Sequence, residues 1–393
     1  MPTLLVEGKR MSVVALLGRR DLPTDGVEDY CTFLGRALSQ RGVDLVQVRA
    51  AWDGTGRIRT LRDLRYRSND WCGQWVLLQY TALAWSKRGF PTFVVQVARV
   101  LRNAGAKLVV VFHEPTHQKA AHRVRLARRI CQDWAIRQLY QAAAAAIFTV
   151  PLNSVKWLPE EPDKASFIPI GPNIPVHPKL RQPSGTEQEK VVVVFGIAGP
   201  PSRAHEVDEI AAVMKRVARQ LGRVRLVVMG RGALDARDDL TSLLRDVPVQ
   251  LVIHGIVPAE EIAHEFEFAD ALLFVRGAIS LQRGTAIAGI ASGLPTVGYQ
   301  GEGSTEPLKH AGIEWGTLGD RNSLAEALVR VLTDPARWTE LHKRNLQAHR
   351  DWFSWSRISE RYCDLLGQGV PCGSGRIQES SCASDERLES PEV

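Results

Sequence analysis

The chain has 393 residues, 45% of them hydrophobic and 24% charged, with a formal net charge of +7. That length exceeds one ordinary domain and the composition is that of a folded globular protein, which excludes a disordered, collagen-like or coiled-coil chain and predicts two α/β domains. The longest apolar runs, 142–150 and 191–199, fall short of the roughly 18 residues that cross a bilayer, so neither a membrane span nor a signal peptide is expected.

Met11–Leu17 is a short apolar, β-branched run ending at Gly18, and Val27, Tyr30, Cys31, Leu34, Ala37 and Leu38 then recur at helical spacing up to Gly42. The pattern predicts strand, loop, helix. Further strands are expected at 43–48, 75–80, 107–112 and 146–150, with helices at 92–103 and 123–145 between them. Such alternation gives a mostly parallel sheet covered on both faces, and it assigns residues 1–172 to a first Rossmann-like domain. The segment Ile170-Gly-Pro-Asn-Ile-Pro-Val-His-Pro178 and the polar run 181–190 are dense in turn formers, so 173–190 reads as a linker. A second alternating series then has strands at 191–195, 225–229, 249–254, 271–275 and 296–299 and helices at 204–221, 234–245, 259–268 and 284–292. It predicts a second doubly wound domain over 191–351, facing the first across a cleft. Segments 52–71 and 276–283 read as loops, and helices at 323–333, 335–350 and 355–366 follow a sheet taken to be complete. From 367 to 393 the chain is rich in Gly, Ser, Glu and Pro without apolar period, which predicts a disordered tail.

Six cysteines form no C-x-x-C pair and no Cys/His cluster at zinc spacing, so reduced thiols of a cytoplasmic protein are expected and no metal site. His113, His117 and His122 are interrupted by Pro115, so no regular helix presents all three to a metal. Charge divides unevenly: residues 1–170 hold 25 Lys+Arg against 14 Asp+Glu, whereas 171–393 hold 25 against 29. The basic residues of the first half cluster at Arg57–Arg67 and Lys119–Arg129. Runs of this kind suit an anionic membrane surface, nucleic acid or a charged substrate, or they are solvated helix faces. Without an aromatic or zinc-bearing binding motif beside them, nucleic acid is not an expected partner.

Neither first turn spells the dinucleotide fingerprint: Gly18 is followed by Arg-Arg-Asp, and Gly196-Ile-Ala-Gly199 lacks the third glycine. A helix N-terminus with glycine lets backbone N–H groups meet a diphosphate, and Arg283-Gly284-Thr285 opens such a helix with a planar cation in front of it. Arg203 follows the first strand of the second domain as a further phosphate candidate or a solvent-facing residue. Gly230 and Gly232 keep a turn open near a nucleotide or simply make it tight. His113 ends a strand beside the cleft, where an imidazole could bond a sugar or move a proton, or merely satisfy a loop. Asp25 could orient an acceptor hydroxyl or cap the helix it precedes.

The order of short motifs resembles the GT-B nucleotide-sugar glycosyltransferases, specifically the retaining glycosyl transferase group 1, or glycogen-synthase-like, family. Asp25-Gly-Val-Glu28, Val111-Phe-His-Glu-Pro115, Ile168-Pro-Ile-Gly-Pro-Asn-Ile174, Val227-Val-Met-Gly-Arg-Gly232, Ile253-His-Gly-Ile-Val257, the stretch 284–295 and Trp352-Phe-Ser-Trp355 carry the resemblance through most of the chain. It implies donor contacts at Gly26, Arg203, Gly230, Arg231, Ser280, Arg283, Gly284 and Thr285, with His113 and Asp25 in the reaction. It also implies that the helix at 352–366 packs back on the first domain. The family places two glutamates on its donor helix, one near the sugar and one on the ribose; aligned on Ser292-Gly-Leu-Pro295, those positions hold Ser280 and Ala288. Neither side chain replaces a carboxylate. Glu302 and Glu306 are nearby substitutes in sequence.

The resemblance thus implies transfer of a sugar from a nucleotide diphosphate donor to a saccharide or lipid-linked hydroxyl acceptor, with retention and without a resident cofactor. Bacterial cell-surface polysaccharide or glycolipid synthesis is the expected setting, with the basic first domain at the inner membrane face. The alternatives are a binding protein that has lost turnover with both glutamates, and a nucleotide-sugar epimerase or hydrolase on the same scaffold.

Overall fold

A computed structural model describes residues 10–115, 123–176, 178–185 and 189–367. Residues expected to form the tail beyond Gly367, together with Cys372, Cys382, His117, Lys119 and His122, lie outside them.

The first unit is built from β1 (Met11–Leu17), α1 (Gly26–Ser39), β2 (Val43–Arg49), α2 (Trp52–Thr55), α3 (Arg57–Ser68), β3 (Trp75–Tyr80), α4 (Thr92–Asn103), β4 (Lys107–Phe112), α5 (Arg123–Ala142), β5 (Ala145–Phe148) and β6 (Ala165–Phe167). Its six strands are all parallel in the order β2-β1-β3-β4-β5-β6. In β4, Leu108–Phe112 are all apolar and buried because both faces of the strand are covered. One face packs on α1, through Tyr30, Leu34 and Leu38, and the other on the layer α2–α5, through Trp52, Leu64, Phe93, Val97 and Leu139.

The second unit holds β7 (Lys190–Phe195), α6 (Arg203–Leu221), β8 (Val224–Met229), α7 (Arg237–Leu243), β9 (Val249–Ile253), α8 (Ala259–Phe268), β10 (Ala271–Ala278), α9 (Gly284–Ala291), β11 (Thr296–Gln300), β12 (Ile313–Thr317), α10 (Arg321–Thr333) and α11 (Pro335–Ala348). Here the parallel order is β12-β11-β10-β7-β8-β9. α6 and α10 cover one face through Ile210, Val213, Leu324 and Leu328, and α8 and α9 the other through Ile262, Phe266 and Ala288. The expected α/β class with two doubly wound, Rossmann-like sheets is therefore present.

Three expectations are corrected. β12 extends a sheet taken to be finished at β11, and its Glu314, buried in the strand, is held by Arg330 (2.9 Å) and Arg337 (2.7 Å). β6 is a three-residue strand on the edge of the first sheet. Segment 52–71, read as a loop, is helical: α3 buries only Thr60, Leu64 and Ser68, and its five arginines face outward. α11 ends in a π-helical turn, His349–Phe353, before α12 (Trp355–Gly367).

α12 packs on α1 of the first unit. Tyr362 and Tyr30 share a buried hydroxyl pair at 2.8 Å, and Arg41 Nε donates to Ser359 Oγ (3.0 Å). Trp355 stacks on Phe33 with ring centroids 5.7 Å apart, and its Nε1 donates to Pro172 O (2.9 Å). A Cβ on Gly171 would lie 2.6 Å from the Trp355 ring, so only glycine fits there. The chain thus crosses between the two sheets twice, at 168–176 and at 349–355, and the crossings touch each other, with Phe167 and Trp352 rings 6.1 Å apart.

Candidate active site

In an open parallel sheet the crevice lies outside the carboxyl ends of the strands, where the strand order reverses. For the second sheet that point is between β7 and β10. The turn after β7 begins at Gly196, whose φ of +81° favours glycine, and Gly196 N–H donates to Met229 O (2.8 Å). Opposite it, Arg276 lies near the end of β10, and a Cβ placed on Gly196 would sit 3.5 Å from Arg276 Nη1 and 3.9 Å from Thr285 Cγ2. Arg283 is the N-cap of α9, no side chain caps that helix, and the space beside Gly284 is open. Two guanidiniums and an uncapped helix N-terminus therefore surround one small space.

The charges there are mutually felt. Burial, then the neighbouring Arg276, lower the Arg283 pKa from its ordinary value, while Glu206 works in the opposite direction. Glu206, 5% exposed in the first turn of α6, accepts from Ala198 N–H (2.7 Å); burial raises its pKa against the pull of that bond, Arg276 and Arg283. Arg276 Nε is buried with no hydrogen-bond partner among the described residues. An anion entering this space would meet donors already aimed at it.

Sequence reasoning singled out Arg283, Gly284 and Thr285 but passed over Arg276 and Glu206. The signal for Arg276 was its place directly after an expected strand, at the end where ligands sit. Arg203 is drawn aside to Asp235 (3.1 Å). Gly230 and Gly232 serve the packing of one turn on another: added Cβ atoms would lie 3.0 Å from the Phe195 ring and 2.4 Å from Ile197 O. Ser280 lies under the turn after β11, where a Cβ on Gly303 would come within 2.9 Å of its Cβ. In that turn Glu302, next to Gly303, is exposed, whereas Glu306 pairs with His310 (2.9 Å). Ala288 is fully buried among Val193, Met229 and Phe266, so α9 turns a methyl group into the core at the position the resemblance gives to a ribose-binding glutamate.

The first sheet contributes the facing side. Asp25 caps α1, accepting from Val27 N–H (3.1 Å) and Glu28 N–H (3.2 Å), and pairs with Arg49 (3.3 Å). Gly26 opens α1 with no heavy atom within 4 Å of an added Cβ. Arg231 reaches across from the second unit and donates to Thr24 O and Thr24 Oγ1, both at 2.7 Å. Gln282 likewise donates to His113 O. These bonds place the carboxyl ends of the two sheets against one another.

His113 turns its ring inward, donating from Nε2 to Gln79 Oε1 (2.8 Å) with its edge on Tyr30. Burial lowers its pKa to about 4, so at neutral pH it is uncharged and has no acidic proton to give. His349 is lowered to about 4 by burial and by Arg350. A histidine whose folded pKa lies below its unfolded value of about 6.5 stabilises the fold above that value, and the contribution is lost as pH falls toward 4. Thermal denaturation between pH 7.5 and pH 4 is expected to show stability falling through that window, with His349→Leu flattening the slope; an unchanged slope would refute the assignment. Glu114, beside His113, accepts from Ala82 N–H (3.4 Å) and has its pKa raised by burial. Among the described residues no cluster of His, Cys, Asp or Glu could hold a metal ion, and no helix is long and apolar enough to cross a membrane.

No protein-family model matches the sequence, and no curated protein matches it. Solved structures do. A sucrose-phosphate synthase from Thermosynechococcus elongatus is 18% identical over 91% of this chain and 99% of its own, with a TM-score of 0.63. HepE of Anabaena, determined with UDP and glucose, is 13% identical over 91% and 99%, TM-score 0.61. A putative UDP-N-acetylglucosamine 2-epimerase from Listeria monocytogenes is 9% identical over 91% and 96%, TM-score 0.60. At these identities the likeness is one of architecture. Two parallel six-stranded sheets set carboxyl end to carboxyl end, and superposition on these proteins over 91% of the chain, show that this chain has the GT-B fold.

Proposed function

We propose that the protein is a glycosyltransferase whose donor is a nucleoside diphosphate sugar. The observation that carries this reading is the convergence of Arg276, Arg283 and the uncapped α9 N-terminus at the β7/β10 switch point, facing the first sheet across the cleft. HepE, with UDP and glucose bound, supports a uridine nucleotide as the first to test. Transfer leaves negative charge on the departing diphosphate, and the two guanidiniums with the α9 backbone N–H groups stabilise that charge as it grows. Glu206 offsets the charge of Arg276 and Arg283, so the site is not a bare cluster of cations.

On this reading Asp25, engaged by backbone donors and Arg49, shapes the loop that the acceptor approaches instead of handling a proton. His113 is a neutral hydrogen-bonding wall of the cleft. Glu302, in the turn that covers Ser280, takes the place of the carboxylate that the resemblance puts at position 280. Retention of configuration and a setting in cell-surface polysaccharide or glycolipid synthesis complete the proposal, on the strength of the motif resemblance.

A second reading rests on the Listeria neighbour: an epimerase or hydrolase that consumes a nucleotide sugar without an acceptor. Thermal denaturation against UDP, GDP, ADP, dTDP and their sugar conjugates tests both. A bound nucleotide at 100 times its Kd stabilises the native state by about 2.7 kcal/mol, so one member of the panel is expected to raise Tm clearly. No shift with any of them would overturn the donor site. Loss of the sugar conjugate in the absence of any acceptor, at the rate seen with one, would favour the second reading.

A further inference from the structure

The layer α3–α4–α5 has an outer surface that the proposed chemistry does not use. Among the described residues of α3, α4 and α5 there are nine exposed arginines, including Arg59, Arg62, Arg65, Arg99 and Arg129, against one exposed acid, Asp63. Among them lie large apolar side chains turned outward. On α5, Leu126, Ile130 and Trp134 follow at intervals of four residues and are 55%, 60% and 42% exposed. That spacing puts all three on one face of the helix. On α3, Ile58 and Tyr66 are 88% and 80% exposed. A groove of about 660 Å³ runs between α3 and α4, lined by Arg65, Tyr66, Gln96 and Arg99.

An apolar stripe on a water-exposed helix costs free energy unless something covers it, and an arginine-rich border selects what does. Nucleic acid would satisfy the arginines but offers no acyl layer to Leu126 and Ile130. An acidic lipid surface satisfies both: the stripe enters the boundary between headgroups and chains, arginines meet the phosphates, and Trp134 and Tyr66 suit the interface. We infer that the face formed by α3, α4 and α5 docks the protein on an anionic membrane, with the α3/α4 groove receiving lipid headgroup phosphate. α5 follows β4 after ten residues, the first of which, His113 and Glu114, stand at the cleft, and the half-exposed Leu83 projects from the turn after β3. Docked by this face, the protein holds the mouth of its cleft at the membrane surface, where a lipid-borne acceptor is delivered. This last step rests on the proposed transferase reading; the docking itself does not.

Cosedimentation of the full chain with vesicles of phosphatidylcholine alone, and with phosphatidylglycerol added, tests it. Binding is expected to rise at least about tenfold with the anionic lipid and to weaken with salt, since each arginine near the surface contributes and each is screened. The double variant Ile130→Ser/Trp134→Ser and the double variant Arg65→Glu/Arg99→Glu are each expected to lose at least about fivefold, with Tm kept, because all four positions lie on the surface. Equal binding to both vesicle types, full binding by both variants, or a preference for duplex DNA or RNA over vesicles would overturn the proposal. The Tm shift with UDP, measured on the same variants, keeps the two readings separate: vesicle binding lost with the UDP shift retained supports docking whatever the donor, and vesicle binding retained without any UDP shift would sink the donor site alone.

Discussion

Arg283→Ala is expected to lower kcat/KM for nucleotide-sugar turnover by about 10²- to 10³-fold, the usual cost of removing one donor aimed at developing negative charge. The side chain stands as N-cap of an eight-residue helix, and its neighbours are Arg276 and Glu206, not the apolar core. Folding is therefore expected to survive the change, and Tm measured without ligand checks this. Arg276→Ala should show a loss of the same kind, and the pair together less than the product of the two, because both guanidiniums face one small volume. Arg283→Lys is expected to recover only part of the loss, since an ammonium cannot form the paired contacts of a guanidinium. Steady-state kinetics with the donor identified by thermal shift measure all of these. Wild-type kcat/KM in Arg283→Ala would remove the site from the β7/β10 crevice.

Trp355→Ala is expected to destabilise the protein by about 3 kcal/mol, at the lower end of the range for truncating a packed aromatic. The indole holds several things at once: it stacks on Phe33, lies against Tyr30, donates to Pro172 O and fills the space that Gly171 leaves empty. Its loss leaves the Tyr30–Tyr362 hydroxyl pair as a main tie between α1 and α12. Differential scanning calorimetry should show Tm lowered by several degrees, and amide exchange should show α12 opening before the sheets. An unchanged Tm, or protection of α12 equal to the wild type, would mean that α12 is held by other contacts.

Most of the architecture was legible because both sheets are parallel and buried on two faces, which forces runs such as 191–195 and 108–112 to be apolar without interruption. Legibility failed where burial was partial or a charge was neutralised from afar. β12 contains Glu314, and nothing local announces that Arg330 and Arg337 will come to meet it. α3 looks like a loop because its inner face is so narrow that arginines dominate its average polarity. The candidate site was half visible. Arg283, Gly284 and Thr285 lie together in sequence, whereas Arg276 and Glu206 join them only through the β7–β10 pairing and the first turn of α6. The glycines at 230 and 232 read either as an open turn near a nucleotide or as a tight turn, and their neighbours, Phe195 and Ile197, only the fold could reveal.

The two crossings between the sheets, side by side at 168–176 and 349–355, constrain how the molecule can move. One strand of chain would leave the halves free to twist about it; two that touch form a short axle. Around an axle the permitted motion is a swing, and sliding of one sheet past the other is barred. The contacts that bridge the open side, Arg231 on Thr24 and Gln282 on His113, are side-chain hydrogen bonds reaching from one sheet's turns to the other's. Such bonds can be exchanged for bonds to a visitor at little cost, so the molecule has a fixed spine on one edge and a renewable clasp on the other.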